Sequence, residues 1–230
     1  MTIPAEPIAW IPADEPATPE TPLAQQAYER IFDAIQTGRF APGMRMKETA
    51  LTAWLGMSRT PVREAVARLA LDGLLSNEAY RGIVISSLDR QMVIELFLAR
   101  EAMEGAAAAL AARYATEAEI AALQAVLALG RSVADDPAAG VRYNARFHTE
   151  VYGCAHNRYL LKPLKALWSQ MALVTKATRR AHGRGDEARA EHEAIVDAIV
   201  ARDPVAAEEA GREHIRAAQR ALLTAWVEGP

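Results

Sequence analysis

The feature that most restricts the fold of this chain is that residues 88–230 carry no strand pattern. Their apolar residues recur at the spacing of helices, and short breaks at 135–137 and 183–185 interrupt that spacing. Six helices are predicted, over residues 89–113, 116–130, 137–153, 157–181, 186–201 and 203–225. Alanine is abundant in them, and small side chains let helices pack closely. We therefore expect an all-α antiparallel helical bundle.

Residues 23–87 follow a different pattern, in which helices precede a hairpin. Three helices are predicted, over about Leu23–Thr37, Glu48–Leu55 and Arg59–Asp72, each followed by glycine. Two short apolar runs, Leu74–Leu75 and Ile83–Ile85, then flank a polar connection, which favours a hairpin. Three helices followed by a small hairpin are typical of a winged helix-turn-helix. The expected fold is thus mostly α, with an N-terminal winged helix-turn-helix and a C-terminal helical bundle.

The remaining segment, residues 1–22, holds six of the twelve prolines and four acidic residues but no lysine or arginine. Such a segment cannot build a core, and we expect it to be a disordered tail. No apolar run approaches the roughly 18 residues of a membrane span, and the N-terminus lacks the features of a secretion signal. The single cysteine, Cys154, excludes an internal disulfide framework. We therefore expect a cytoplasmic protein with no membrane partner.

A basic face is predicted at the start of the third helix. Residues 23–87 hold eight Lys/Arg against six Asp/Glu, although the whole chain has a net charge of −3. Arg59 and Arg63 lie four residues apart and project from one face, beside the short donors Ser58 and Thr60. Ser58 can also cap the helix. Such a surface suits phosphate contacts and an arginine that reaches guanine in the major groove. The alternative is a solvated helix with two ordinary arginines.

Three of the five histidines lie on the inward faces of different predicted helices. His148 shares a face with Asn144, and His192 and His214 lie on the apolar stripes of the last two helices. One such histidine is more often an ordinary core residue, but three from separate helices make a metal site an equal alternative. Neutral imidazoles favour zinc, nickel or another first-row ion. His156 and His182 fall near helix ends and are expected to be solvated.

Arg100 interrupts the apolar stripe of the first bundle helix, so its guanidinium is expected to point into the bundle. A buried arginine needs an anion as its partner. Glu104, one helical turn further on, can supply that anion in a structural ion pair. The alternative partner is the carboxylate of a ligand.

The run S-R-T-P-V-R-E-A at residues 58–65 closely resembles the GntR family of bacterial repressors. The stretches 38–43, 72–75 and 81–82 add to that resemblance. It implies that Arg59 and Arg63 contact operator DNA, that Ser58 and Thr60 support them, and that the wing glycine Gly82 approaches the minor groove. Thr49 stands where some members have arginine, so one phosphate or base contact is expected to be missing.

Residues from about Arg90 to Ala225 resemble the FCD ligand-binding domain of one GntR subfamily, in its shorter six-helix branch. The stretches that carry this resemblance are 100–104, 144–148, 191–195 and 214–215. The resemblance implies a divalent metal ion, with zinc as the first candidate, that is held by one aspartate and three histidines. It also implies a small organic acid bound at or near that metal. His148, His192 and His214 match the histidines. Asn144 stands at the aspartate position, and because an amide oxygen brings no charge, weaker metal binding is expected.

These observations lead to one principal hypothesis and two alternatives. The principal one is a homodimeric repressor that leaves palindromic operator DNA when a small carboxylate binds the metal and Arg100. Its parts would be a tail (1–22), a DNA-binding domain (23–87) and a ligand-binding domain (88–230). A metal-dependent hydrolytic enzyme and a metal-only sensor are the alternatives. The chain shows no nucleophile motif, phosphate loop or dinucleotide fingerprint, so we expect that it is not an enzyme.

Overall fold

The computed structural model of the protein describes residues 21–78, 82–132, 137–174 and 184–227. The predicted tail up to residue 20, the wing residue Arg81 and His182 lie outside the described residues. Internal contacts divide the chain into two compact units. The first comprises Met1–Ser87 with Ser169–Leu173, and the second comprises Leu88–Trp168 with Val174–Pro230. None of the described helices is both long enough and apolar enough to cross a membrane.

The first unit combines three helices with a small antiparallel sheet. The helices are α1 (Leu23–Gln36), α2 (Glu48–Leu55) and α3 (Arg59–Leu71). The sheet has the strand order β1–β3–β2, with β1 at Arg45–Met46, β2 at Leu75–Glu78 and β3 at Gly82–Ile85. The predicted hairpin of β2 and β3 is confirmed by its pairing of Leu75 with Ile85. Strand β1 was not predicted, because two residues are too few to show a period.

The core of the first unit forms where α1 packs against α3. Ala27, Ile31 and Ile35 recur every four residues along α1 and are buried, while Leu23 at the start of that series is exposed. Gly56 ends α2 in the left-handed conformation, with φ 69°. Ser58 occupies the N-cap of α3, as predicted, but its hydroxyl makes no capping hydrogen bond. The Ser58 side chain is exposed to solvent.

Helices are the only regular elements among the described residues of the second unit, as predicted. Its helices are α4 (Arg90–Tyr114), α5 (Glu117–Ser132), α6 (Pro137–Cys154), α7 (Arg158–Gln170, which belongs to this unit up to Trp168), α8 (Gly185–Val200) and α9 (Pro204–Val227). The predicted helix over 157–181 is wrong in part, since α7 ends at Gln170 and a 3₁₀ turn, Met171–Val174, follows. The apolar spacing continues across this change, so the periodicity did not reveal it. Residues 175–183 lie outside the described residues.

Side-chain caps fix the starts of three helices in the second unit. Glu119 and Thr116 form a capping box, in which the Glu119 carboxylate accepts from the Thr116 backbone N–H at 2.7 Å. Asp203 accepts from the backbone of Val205 and Ala206 at 3.0 Å at the start of α9. Asp89 caps α4 by accepting from the Met92 N–H at 2.8 Å. The short connections between helices therefore carry their own stop and start signals.

The backbones of α4 and α9 touch at a pair of glycines. A Cβ on Gly211 would lie 3.3 Å from the Gly105 Cα, and a Cβ on Gly105 would lie 3.1 Å from the Glu208 carbonyl oxygen. Such distances leave no room for a side chain between the helices. The crossing lies next to Glu104 and less than one turn before His214, both of which are buried.

We predict that Gly105→Ala destabilises the protein, although alanine favours helices. Overpacking at the crossing should cost about 1–3 kcal/mol of unfolding free energy, against a helix-propensity gain of about 1 kcal/mol. Gly140→Ala is the matched control, because its helical site in α6 has no atom within 4 Å of the added Cβ. Thermal unfolding should show a lower Tm for Gly105→Ala and an equal or higher Tm for Gly140→Ala. Equal shifts in both variants would contradict the close crossing.

Candidate nucleic-acid interface and metal centre

The first turns of α3 present the four side chains that the sequence singled out. Ser58, Arg59, Thr60 and Arg63 are all exposed to solvent, whereas Val62 on the opposite face is fully buried. Arg63 donates from Nε to the Glu48 carboxylate at 2.8 Å. This hydrogen bond lowers the pKa of the Glu48 carboxyl. The helix therefore offers short hydroxyl donors and two guanidinium groups on one open surface, as phosphate and base contacts require.

Gly82 has a structural requirement of its own. Its φ is +78°, a conformation that side-chain-bearing residues rarely adopt, and a Cβ there would lie 2.9 Å from the Met46 carbonyl oxygen. Met46 belongs to β1, which pairs with β3 at this point. The close approach of the two strands therefore explains a glycine here without any nucleic acid.

The three predicted histidines converge inside the second unit. His148 comes from α6, His192 from α8 and His214 from α9, and all three are buried. One ligand nitrogen of each lies within 4.8 Å of the others. The Nε2 atoms of His148 and His214 are 3.3 Å apart. The Nε2 atom of His192 is buried and has no hydrogen-bond partner among the described residues.

Each histidine is oriented through its other ring nitrogen. Nδ1 of His148 lies 2.8 Å from a Glu104 carboxylate oxygen, and Nδ1 of His214 lies 2.8 Å from one of Glu191. Because a carboxylate only accepts, both rings carry their proton on Nδ1 and direct an Nε2 lone pair at each other. Two lone pairs 3.3 Å apart repel unless a cation lies between them. Outer carboxylates that orient histidines in this way are typical of metal sites, so the donor set fits a divalent ion.

Burial keeps the cluster in the protonation states that metal binding needs. Burial lowers the pKa of His192 well below its ordinary value, and the neighbouring His214 and His148 lower it further. Burial also lowers the pKa of His148 despite the opposing effect of Glu104. For the Glu104 carboxyl, burial alone would raise the pKa, but Arg100 and His148 outweigh it and lower the pKa. Neutral imidazoles of His148 and His192 beside an ionised Glu104 carboxylate are therefore expected at neutral pH.

The partner of Arg100 in the described structure is Glu104. Nε and Nη2 of Arg100 lie 2.8 and 2.7 Å from one oxygen of that carboxylate, and both side chains are buried. The guanidinium also lies over the rings of Phe97 and Trp168, at 5.3 and 5.9 Å from their centroids. The structure therefore contains the ion pair that the sequence offered as one of two alternatives. A direct contact between Arg100 and a ligand stays a prediction.

Two of the remaining predicted positions are described. Asn144 is half-buried, one helical turn before His148 on α6, so its predicted role as a ligand stays a prediction. His156 lies outside the cluster, where it is partly exposed and contacts Glu119 at 3.0 Å.

Sequence reasoning missed several residues that hold the histidines. Glu191 was not singled out, although its carboxylate contacts His214. Tyr143 places its hydroxyl 2.9 Å from Nδ1 of His192, and the Phe147 ring stacks on the His192 ring at 3.8 Å. The only sequence signal was the four-residue spacing of Tyr143 and Phe147, which puts both on one face of α6.

The match to protein families covers both units. Residues 23–85 match the gntR family of bacterial regulatory proteins, and residues 95–217 match the FCD domain. Both matched segments lie within the parts of the chain that the sequence assigned to a winged helix-turn-helix and a helical bundle. The FCD match alone spans more than half of the chain.

Individual proteins show the same similarity over most of their length. The "Probable D-xylose utilization operon transcriptional repressor" of Paenarthrobacter nicotinovorans is 33% identical over 200 residues, which cover 86% of this chain and 87% of the relative. The HTH-type transcriptional regulator YdhC of Bacillus subtilis is 29% identical over 202 residues, 86% of this chain and 88% of the relative. The solved structure of E. coli McbR/YncC shares the fold, with a TM-score of 0.78 at 23% identity over 90% of this chain and 99% of that one.

These families and relatives are transcriptional regulators rather than enzymes. The winged helix-turn-helix with its exposed basic helix, followed by the helical unit, has the architecture that both family matches describe. The chain therefore belongs to the GntR family of bacterial regulatory proteins, carries an FCD domain, and is a DNA-binding transcriptional regulator.

Proposed function

We propose that this regulator is a repressor whose FCD domain holds a divalent metal ion. Zinc is the first candidate for that ion, and nickel or another first-row metal is the alternative. It leaves its operator when a small organic acid binds at the metal. The observation that carries the metal is the convergence of three buried imidazole nitrogens, of which the His192 Nε2 has no hydrogen-bond partner among the described residues. Repression is supported by the name of the Paenarthrobacter relative.

The chemistry of the donor set favours an anionic effector. His148, His192 and His214 are neutral ligands, and the amide oxygen of Asn144 is the fourth that we propose. When bound, the metal would act as a Lewis acid whose positive charge none of these ligands neutralises. A small carboxylate would supply the missing negative charge. Arg100 is proposed to add positive potential nearby, in addition to its ion pair with Glu104.

The DNA-binding side of the proposal uses the exposed face of α3. Arg59 and Arg63 would contact bases and phosphates, Ser58 and Thr60 would contact phosphates, and Gly82 would let the wing approach the minor groove. We propose a homodimer on a palindromic operator, because dimers of helix-turn-helix proteins bind two half-sites that are related by two-fold symmetry. We also propose that the protein is cytoplasmic and belongs to the six-helix FCD branch. Its DNA-binding domain would span residues 23–87 and its ligand-binding domain residues 88–230.

We predict that Arg63→Ala weakens binding to the operator by about 10- to 100-fold, because an arginine that contacts a base contributes about 1–3 kcal/mol. The measurement is a gel-shift titration on duplex DNA selected in vitro by the parent protein. Arg113→Ala, an exposed arginine of α4, removes the same charge and should leave the affinity unchanged. Equal affinities of parent and Arg63→Ala would contradict the assignment of α3 as the recognition helix.

We predict that the metal-free protein binds one zinc ion per chain and that His214→Ala binds it at least about 100-fold more weakly, since losing a ligand costs more than losing an outer-sphere partner. Competition with a chromophoric chelator gives both affinities. His156→Ala removes a histidine outside the cluster and should bind zinc like the parent. Zinc binding that survives in His214→Ala would overturn the site.

We predict that one small carboxylate raises the Tm of the zinc-loaded protein by several degrees at saturation, by mass action, and leaves the chelator-treated protein unchanged. A thermal-shift screen of mono-, di- and hydroxycarboxylates measures this directly. Equal shifts in both forms would place the acid away from the metal. No shift in either form, together with DNA release by chelator alone, would favour a metal-only sensor.

A further inference from the structure

We propose that Tyr143 is a positioning residue that orients His192 as a metal ligand, and that Gly130 provides the space its ring needs. The inference deepens the proposed metal function and rests on it. Neither residue belongs to the donor set of the three histidines. Tyr143 lies on α6 and is buried, and Gly130 lies on α5.

The need for such a residue follows from the way the other two histidines are held. His148 contacts Glu104, and that carboxylate pairs with Arg100. His214 contacts Glu191, and that carboxylate pairs with Arg184. Each of these rings therefore has a charged acceptor that fixes its proton on Nδ1. His192 has no carboxylate partner among the described residues, and the Tyr143 hydroxyl occupies the corresponding place at 2.9 Å from its Nδ1.

The hydroxyl of Tyr143 can do what the carboxylates do, without their charge. A phenol oxygen accepts as well as donates, so Nδ1–H of His192 can donate to it and leave the Nε2 lone pair for the metal. A tyrosine phenol is uncharged at neutral pH. A third carboxylate would bring a negative charge into this region and oppose the binding of an anionic effector. A neutral acceptor avoids that cost.

Gly130 explains how the Tyr143 ring reaches this position. A Cβ on Gly130 would lie 2.5 Å from both Cε2 and Cζ of Tyr143, far inside contact distance. The ring therefore occupies the space that any side chain on this turn of α5 would fill. From the same face of α6, Phe147 stacks on the His192 ring with an interplanar angle of 17°. Stacking fixes the plane of the imidazole, and the hydroxyl fixes its rotation within that plane.

The test compares zinc affinity and histidine tautomers in the full-length parent and in Tyr143→Phe. Loss of the outer-sphere acceptor should weaken zinc binding by about 10- to 100-fold. Long-range ¹H–¹⁵N NMR of the imidazoles should show His192 protonated at Nδ1 in the parent. In metal-free Tyr143→Phe that signal should shift toward the Nε2–H tautomer, whereas zinc bound at Nε2 would keep the proton on Nδ1 in either protein. A purely structural role of the ring would not change the tautomer.

Two further variants control for general damage to the core. Tyr152→Phe removes a buried hydroxyl from the same helix, 3.4 Å from Nδ1 of His148. Because Glu104 still holds that ring, zinc affinity should fall by less than about threefold, below the loss of an outer-sphere partner. Gly130→Ala keeps Tyr143, but the added methyl group displaces the tyrosine ring and its hydroxyl. It should therefore weaken zinc binding in the same direction as Tyr143→Phe.

The outcomes separate this inference from the proposed metal function. Zinc affinity within about threefold of the parent, with the His192 Nδ1 proton retained in metal-free Tyr143→Phe, would overturn the role of Tyr143. If the parent binds no zinc, the proposed metal function fails. The tautomer of His192 then decides alone whether Tyr143 positions that ring. A shift of its proton in Tyr143→Phe then supports the positioning role, and an unchanged proton rejects it.

Discussion

The carboxylate of Glu104 is the buried charge on which the helical unit depends. Taking an unpaired carboxylate out of water costs several kcal/mol, so such a group persists only with partners on both oxygens. Arg100 occupies one oxygen from the same helix, and Nδ1 of His148 occupies the other from α6. The glycine crossing of α4 and α9 lies immediately beside it. The same ion pair that makes the burial tolerable therefore also orients a candidate metal ligand.

Features of the fold and the site could be predicted from the sequence where they depend on residues that are close together along the chain. The helices and the inward faces of His148, His192 and His214 follow from local periodicity, and they were predicted. The partners that orient those histidines lie 23 to 49 residues away for His192 and His214, and no single-sequence pattern reports which helices face each other. Strand β1 was missed for a related reason, since its two residues are defined only by their pairing with β3.

Motif residues in this chain also have contacts or constraints within the free protein, so a family resemblance alone does not separate the two roles. Gly82 lies where a wing would approach DNA, yet the Met46 carbonyl and a positive φ already require glycine. Arg63 lies where a base contact is expected, yet in the free protein it pairs with Glu48. The DNA contact that we propose for Arg63 would therefore compete with this carboxylate for the guanidinium. Because both groups are exposed, the pair contributes little to stability and can be exchanged at low cost.

The charges around the histidines bear on what the site can recognise. Glu104 and Glu191 are each balanced by an arginine, and the acceptor at His192 is a neutral phenol. The three histidines would be uncharged ligands, and Asn144 stands where the family resemblance implies an aspartate. A divalent ion placed among these groups would keep its positive charge. An anion would neutralise that charge, whereas a neutral sugar would not, so a metal-loaded site of this composition discriminates in favour of acids even before any shape complementarity.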